Sequence, residues 1–312
     1  MSSGSRVGRD AVATKGWIGA HRWLILRRLS QFGLLGLFLA GPWFGIYIVT
    51  GNLASSLTLD TLPLTDPYVL LQSLVARHWP EMTAIIGALI VIAFYLIVGG
   101  RAYCSWVCPV NVVTDTAAWL RRRLGLRGGN VRAAGTLRYW MLAMTLVMGA
   151  IFGMILWEFI NPVSILHRGI IFGMGAGWTI IVAIFFYDLF VEPHGWCGHF
   201  CPVGAFYSLV GKGSIVRVSA VKRDACNNCM DCFAVCPEPQ VIPPALRGAK
   251  KGVGPVIMNS ECTNCGRCID VCAPNVFRFS TRFNNTLPEA EHHEPAGNSF
   301  DPRLSTTQHH ER

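Results

Sequence analysis

Charge is what this sequence of 312 residues has least of. Asp, Glu, Lys and Arg make up 14% of it, against about 25% in ordinary soluble domains. So few polar residues cannot cover a globule of this length, which excludes a wholly soluble protein and points to a membrane protein with a modest soluble part. Acidic residues are the scarcer sign, 18 against 27 Lys and Arg, for a formal net charge of +9. The basic residues gather beside apolar runs, where they set orientation in a bilayer, and this excludes nucleic acid as the partner. No DNA-binding or signalling module is present, and no Met/His cluster of the copper-handling kind. No small-residue cleavage site follows the first apolar run. Arg27-Arg28 before it therefore reads as the flank of a membrane span rather than a twin-arginine export signal.

What is abundant is hydrophobic sequence, 52% of the chain with a mean hydropathy of +0.39. Four runs approach the roughly 20 residues needed to cross a bilayer. They lie at about 29–49, 82–100, 139–160 and 170–191. Residues 1–28 carry six Lys or Arg and residues 101–138 carry seven, whereas loops 50–81 and 161–169 hold only Arg77 and Arg168. The positive-inside rule then places the N-terminus, the middle loop and the C-terminal third in the cytoplasm, and the other two loops outside.

The chain also repeats itself. "YCSWVCPV" at 103–110 matches "WCGHFCPV" at 196–203, so Cys104 and Cys108 correspond to Cys197 and Cys201 at an offset of 93 residues. "DPYVLLQ" at 66–72 echoes "NPVSILH" at 161–167. Each unit reads as a span, an outer loop with Asp- or Asn-Pro, a second span, and Cys-x3-Cys-Pro at its inner end. Two units running the same way imply a pseudo-two-fold axis along the membrane normal.

The strongest chemical signal is "CNNCMDCFAVCP" at 226–237, followed by "CTNCGRCIDVCAP" at 262–274. Three cysteines at x2 spacing wrap one corner of an iron–sulfur cube, and in two-cluster ferredoxins the fourth ligates the other cluster. The expected sets are Cys226, Cys229, Cys232 and Cys272 for cluster A, and Cys262, Cys265, Cys268 and Cys236 for cluster B. Zinc also takes thiolates, but tandem C-x2-C-x2-C runs are far rarer in zinc sites. A reducing cytoplasmic face disfavours disulfides. Ala273 displaces the usual proline after the fourth cysteine by one position, a change that bears on shielding rather than ligation. Two such [4Fe–4S] clusters form a relay for single electrons. Nearby Lys222, Arg223, Arg247, Lys250, Lys251 and Arg267 form a solvated basic surface suited to an acidic partner or anionic headgroups.

The architecture expected is thus an integral α-helical membrane protein. A segment 1–28 precedes a four-helix membrane domain 29–191, built as a duplicated helical hairpin. A cytoplasmic region 192–283 carries an α+β two-cluster ferredoxin-like domain, and 284–312 is a polar, disordered tail.

Four spans, two Cys-x3-Cys-Pro motifs and a pair of ferredoxin motifs resemble the NapH/MauN family, the ferredoxin-type membrane subunits of periplasmic nitrate reductase and methylamine-utilisation systems. "GWIGAHRWLILRR", "GPWFGIY", "PLTDP", "CSWVCPVN", "WEFINPVS" and "EPHGWCGHFCPVG" carry the likeness from about residue 16 to 283. The resemblance implies a quinol dehydrogenase subunit in a bacterial inner membrane, with both termini cytoplasmic. It implies two [4Fe–4S] clusters, quinol as substrate, and electrons delivered towards nitrate reductase. The implied partners are the lipid and quinone pool, a periplasmic iron–sulfur subunit and multihaem cytochromes. Related members serve methylamine dehydrogenase, or the maturation of other oxidoreductases. A redox sensor or assembly factor is a reading from a different class.

Quinol oxidation releases protons, and ionisable groups within spans default to functional hypotheses. Glu158 and His167 are the candidate catalytic pair at the outer edge. Asp188, His78, His194 and His199 are further polar groups near the membrane edges. Three readings stand for Cys104, Cys108, Cys197 and Cys201: a structural bend with inert thiols, a redox-active dithiol, or four thiolates around one metal or cluster.

Overall fold

The computed structural model describes residues 7–58, 61–126, 135–173 and 175–284; the expected tail beyond Asn284 lies outside them. Helix α1 spans Arg9–Phe44, and Gly16, at φ 75°, interrupts it near its start. Instead of a separate N-terminal segment followed by a span at 29–49, one helix joins the two and stops at Phe44. Strands β1 (Val49–Gly51), β2 (Ser55–Thr58) and β3 (Leu62–Thr65) then form an antiparallel sheet. Helix α2 covers Pro67–Val75 and α3 covers Met82–Val98.

The first Cys-x3-Cys-Pro follows on α4 (Ala102–Trp106), and Pro109 caps α5 (Val110–Arg123). The second unit comprises α6 (Leu137–Phe152), α7 (Leu156–Ile160), α8 (Pro162–Phe172) and α9 (Trp178–Phe190). The expected continuous spans at 139–160 and 170–191 are both broken. Gly153 at φ 64° ends α6 and Gly173 at φ 89° ends α8, conformations that an L side chain resists. Among the described residues one helix, α1, is long and apolar enough to cross a membrane, and the other apolar helices are shorter. At 1.5 Å per residue α3 and α6 reach about 25 Å, just short of a 30 Å hydrocarbon core.

The duplicated pattern is visible in the packing. Asp66 accepts from the Tyr68 amide at 3.0 Å to cap α2, and Asn161 accepts from the Val163 amide at 3.1 Å to cap α8. Both are N-caps followed by proline at the first helical position. After the second motif comes α10 (Pro202–Val210), which packs on α3 and α6, while α5 packs on α9. The helix after each Cys-x3-Cys-Pro thus rests on the apolar helix that precedes the other motif. Arg121 fastens one of these contacts by donating to the Leu189 carbonyl at 2.8 Å, near the C-terminus of α9.

The segment expected as an outer loop packs back on the helices. Strand β3 lies against α3, and a side chain at Gly87 would meet the Pro63 carbonyl at 2.9 Å. Tyr68 bonds Thr145 of α6 at 2.7 Å. The C-terminal unit pairs β4 (Val216–Ser219) with β5 (Arg278–Thr281) and carries α11 (Asp231–Val235), α12 (Ile242–Arg247) and α13 (Arg267–Asp270). Its core gathers Val218, Ile242, Leu246, Ile257 and Phe277 beside the motif cysteines.

Candidate functional site

The two C-x2-C-x2-C loops share one backbone conformation. Asn228 and Asn264, each just before the second cysteine, take positive φ; so do Met230 and Gly266, each just after it. The chain then turns into α11 or α13. Cys226, Cys229, Cys232 and Cys272 line one small cavity, and Cys236, Cys262, Cys265 and Cys268 line a second. The fold therefore carries the fourth cysteine of each motif across to the other triplet. All twelve cysteines are free. Among the described residues no trio of His, Cys, Asp or Glu stands at a spacing that holds a single metal ion.

The thiols sit where a bare thiolate is costly. Burial pushes Cys232 up to about 12 and Cys262 up to about 11. Burial alone would raise Cys265 too, but Arg267 and Arg27 beside it hold it below its ordinary value. The Val276 amide donates to Cys272 Sγ at 3.3 Å, the kind of contact that tunes a bound cluster. Eight soft sulfur donors around two cavities, with amides and arginines aimed at them, fit two iron–sulfur groups.

The four Cys-x3-Cys-Pro cysteines also converge. Cys104 lies on α4, Cys108 just past its end, Cys197 in a π-helical turn at Trp196–Phe200, and Cys201 at the cap of α10. Neither pair sits within one continuous α-helix, so a shared helical face is not what aligns the thiols. Cys104, Cys108 and Cys201 pack around Tyr68, Tyr95, Tyr103 and Tyr207. Burial raises Cys108, and Cys104 and Cys201 raise it further; Cys197 feels burial and then Cys201, Cys108 and Cys104. All four are thus within electrostatic reach of one another, across the two repeats. Gln31 on α1, fully buried, donates to the carbonyls of Ser105 at 3.0 Å and Cys108 at 3.2 Å and holds the first turn in shape.

These cysteines dock directly on the second ferredoxin loop. Ser105 Oγ donates to the Thr263 carbonyl at 2.8 Å and Trp106 Nε1 to the Asn264 carbonyl at 3.0 Å. Beside that contact lies a buried ion network. Arg101 Nη1 binds Glu238 Oε1 at 2.6 Å and the Glu261 carbonyl at 2.9 Å, while its Nη2 donates to the Cys197 carbonyl at 3.2 Å. Arg138 Nη1 reaches the same Glu238 oxygen at 2.9 Å and the Gly198 carbonyl at 3.2 Å, and its Nη2 pairs with Glu261. The network ties both Cys-x3-Cys-Pro turns to residues flanking Cys236 and Cys262. Sequence counting treated Arg101 and Arg138 only as charges that set orientation; a glutamate next to a ferredoxin cysteine is the one signal that hinted otherwise.

The polar candidates for quinol scatter. Glu158 on α7 accepts from Asn161 at 3.3 Å and pairs with exposed Arg168 at 3.5 Å. His167 on α8 is buried edge-on against Phe38, with Nε2 lacking a partner. Asp188 is buried and accepts from the Trp196 amide at 3.1 Å. His194 lies 3.8 Å from Asp115, and His199 pairs with Glu192 at 3.2 Å; His78 is exposed. One acidic group that sequence reasoning passed over joins the tyrosine cluster on which Cys104, Cys108 and Cys201 pack. Asp66 accepts from Tyr207 Oη at 3.2 Å, and burial pushes its carboxyl up to about 6.

Comparison with known proteins bears on both cysteine sets. A family described as a 4Fe-4S binding domain matches twice, at residues 81–127 and 170–222, once over each Cys-x3-Cys-Pro unit. A 4Fe-4S dicluster domain matches residues 225–276. The ferredoxin-type protein NapH of Haemophilus influenzae is 49% identical over 280 residues, 89% of this chain and 96% of its own. NapH of Escherichia coli is 48% identical over 278 residues, again 89% and 96% of the two chains. The methylamine utilization ferredoxin-type protein MauN of Methylorubrum extorquens is 52% identical over 279 residues, with the same coverage. No solved structure matches.

Proposed function

Because the chain belongs to the NapH/MauN family of ferredoxin-type iron–sulfur electron-transfer proteins, we propose that it is a multi-pass membrane protein that oxidises quinol and relays the electrons through three sulfur-lined sites. Cys226, Cys229, Cys232 and Cys272 would hold one [4Fe–4S] cluster, and Cys262, Cys265, Cys268 and Cys236 the other. Cys104, Cys108, Cys197 and Cys201 hold a third group between the repeats. Each cluster, when bound, carries single electrons.

The observation that carries this reading is the docking of Ser105 and Trp106 on Thr263 and Asn264. It sets the four converging cysteines against the second ferredoxin loop. Cys268 and Cys232 in turn lie within electrostatic reach of one another across the two ferredoxin sets. Membrane placement is supported by exposed apolar side chains on several helices, among them Leu29, Leu89, Trp140 and Phe190. Such faces need a lipid or protein partner. The short α3, α6 and α9 fit a bilayer because the segments around Asp66-Pro67 and Asn161-Pro162 fold back beside them.

Protons released from quinol go to polar groups on this chain. Asp66 bonds Tyr207, which shares a cluster with Cys104, Cys108 and Cys201; Glu158 and His167 lie on α7 and α8. Asp66 and Glu158 are within electrostatic reach of each other, which supports a path outward through the second unit. The electrons are delivered towards a periplasmic nitrate reductase, through a periplasmic iron–sulfur subunit and multihaem cytochromes, with both termini of this chain in the cytoplasm. The MauN relative at 52% identity supports an alternative in which methylamine utilisation is the system served.

Three measurements test the reading. A variant with the eight ferredoxin cysteines changed to serine should keep iron and sulfide, held by the remaining four; a metal-free variant that remains folded removes the third site. The full chain in nanodiscs should show bleaching of its iron–sulfur absorbance on adding a menaquinol analogue. Clusters that stay oxidised with every quinol, its electron acceptor present, overturn the quinol reading. Growth of a deletion strain on nitrate or on methylamine separates the two destinations.

A further inference from the structure

A cavity of about 830 Å³ opens between α1, α5 and the second ferredoxin loop, with no cysteine in its lining. Six arginines line it against two aspartates. One aspartate, Asp115, is already saturated: Arg28 Nη2 binds it at 2.5 Å, Arg27 Nη1 at 3.4 Å, and Arg267 pairs with its other oxygen. The other, Asp270, accepts from the amides of Trp23 and Leu24. Arg122 and Arg123 have no carboxylate within ion-pair distance among the described residues. Arg27 Nε and Arg267 Nη1 are buried donors with no partner, on side chains nine-tenths or more buried. A buried donor left unpaired is costly, and a cationic cavity holding two of them suits a bound anion.

The shape points the same way. Trp119 stands half-exposed on the cavity wall with the Arg123 guanidinium 5.4 Å from its ring centre. The α1 wall continues past Arg27 and Arg28 into exposed Leu29 and Phe32, where lipid would lie. We propose that this cavity binds a phosphate group, in the bilayer that of an acidic phospholipid headgroup. Arg27, Arg122 and Arg267 are the donors and Trp119 is the apolar flank. Quinol fits poorly here. Burial and then Arg267 push His194 down to about 3, and Asp115 is held far below the carboxylate range by arginines that outweigh its burial. Neither takes a proton at neutral pH.

The lipid source rests on the membrane placement proposed above, whereas phosphate binding does not. The purified full chain in phosphatidylcholine nanodiscs should melt higher when phosphatidylglycerol is added, and native mass spectrometry should find one acidic lipid retained. Arg122→Gln removes a charge and no hydrogen bond given above; Thr116→Trp fills the cavity and keeps every arginine. Each should raise the half-saturating lipid fraction about tenfold, the loss of one charge-assisted contact. If inorganic phosphate alone reproduces the shift, phosphate binding stands and the lipid source is overturned. If neither probe shifts the wild type, or both variants respond as the wild type does, the site is overturned. A chain recovered from the soluble fraction that still binds phosphate would defeat the membrane reading and leave this one intact.

Discussion

The Tyr207 hydroxyl donates to Asp66 across 3.2 Å, joining the loop after α1 to the helix after the second Cys-x3-Cys-Pro. By the distribution of basic residues these two segments belong to opposite sides of a membrane. The contact ties the Asp66-Pro67 turn to the tyrosine cluster on which Cys104, Cys108 and Cys201 pack. Under the function proposed above, a carboxylate on that turn would take a proton released from quinol.

Asp66→Asn should preserve the fold, since Asn161 already caps α8 in the same way. Burial lifts the Asp66 carboxyl to about 6, above its ordinary 3.8, so the folded chain keeps this proton longer than the unfolded one. Wild-type stability should therefore fall relative to Asp66→Asn as pH rises from about 4 to about 6, by on the order of 2 kcal/mol. Above about 6 the carboxylate is free to accept a proton. Quinol-driven bleaching should accelerate through that pH in the wild type and lose the step in Asp66→Asn. Melting curves and stopped-flow traces across pH 4–8 check both; an unchanged rate profile removes Asp66 from the proton path.

Gly266 and Met230 occupy the same left-handed position in the two ferredoxin loops, yet only one tolerates a side chain. A Cβ at Gly266 would stand 2.6 Å from Trp23 Cγ on α1, whereas Met230 is exposed. Gly266→Ala should cost about 2–4 kcal/mol through the left-handed backbone and the overlap with Trp23. Met230→Gly should stabilise the first loop by about 1 kcal/mol. Thermal loss of iron–sulfur absorbance reports both, with opposite signs.

Arg101 and Arg138 share Glu238 Oε1, so their effects should not add. Removing either partner of a buried pair costs about 3–5 kcal/mol. The pair Arg101→Gln and Arg138→Gln, made singly and together, should show a coupling of about 1–3 kcal/mol. Denaturant melts of the four forms supply the cycle; strict additivity would mean that Glu238 does not link them.

Asp115 binds Arg27, Arg28 and Arg267 with His194 close by, and it should govern acid stability at this junction. Burial favours its neutral acid, but the surrounding cations outweigh burial and hold the carboxyl well below its usual range. The stability this provides is fully present above about pH 4 and is lost only as pH falls through the depressed folded value. Asp115→Asn should cost about 3–5 kcal/mol at neutral pH by leaving three arginines uncompensated. It should also flatten the acid limb of a melting-temperature profile between pH 2 and 5.

The cysteine chemistry was legible because it is local. Spacing of two residues dictates how the three thiols of each triplet stand, while the fourth cysteine at each cavity comes from the other motif. The 93-residue offset likewise announced two units, since matching caps at Asp66 and Asn161 need only a short polar side chain before a proline. Helix limits were less legible. Hydropathy ran smoothly through Gly153 and Gly173, and only their backbone angles show that α6 and α8 end there. Buried ion networks were least legible, because Arg101, Arg121 and Arg138 look in a linear count like any other charges beside a membrane.

Short-range spacing along this chain pointed to iron–sulfur chemistry and to a repeat, and the likeness of whole stretches pointed to the family. Which donors meet depends on contacts between residues far apart in sequence: Ser105 with Thr263, Arg101 with Glu238, Asp66 with Tyr207, Asp115 with Arg267. Covalent geometry limits neighbours within a few residues. Long-range partners are chosen by which apolar faces pack and which buried charges find an opposite, and those are properties of the folded chain.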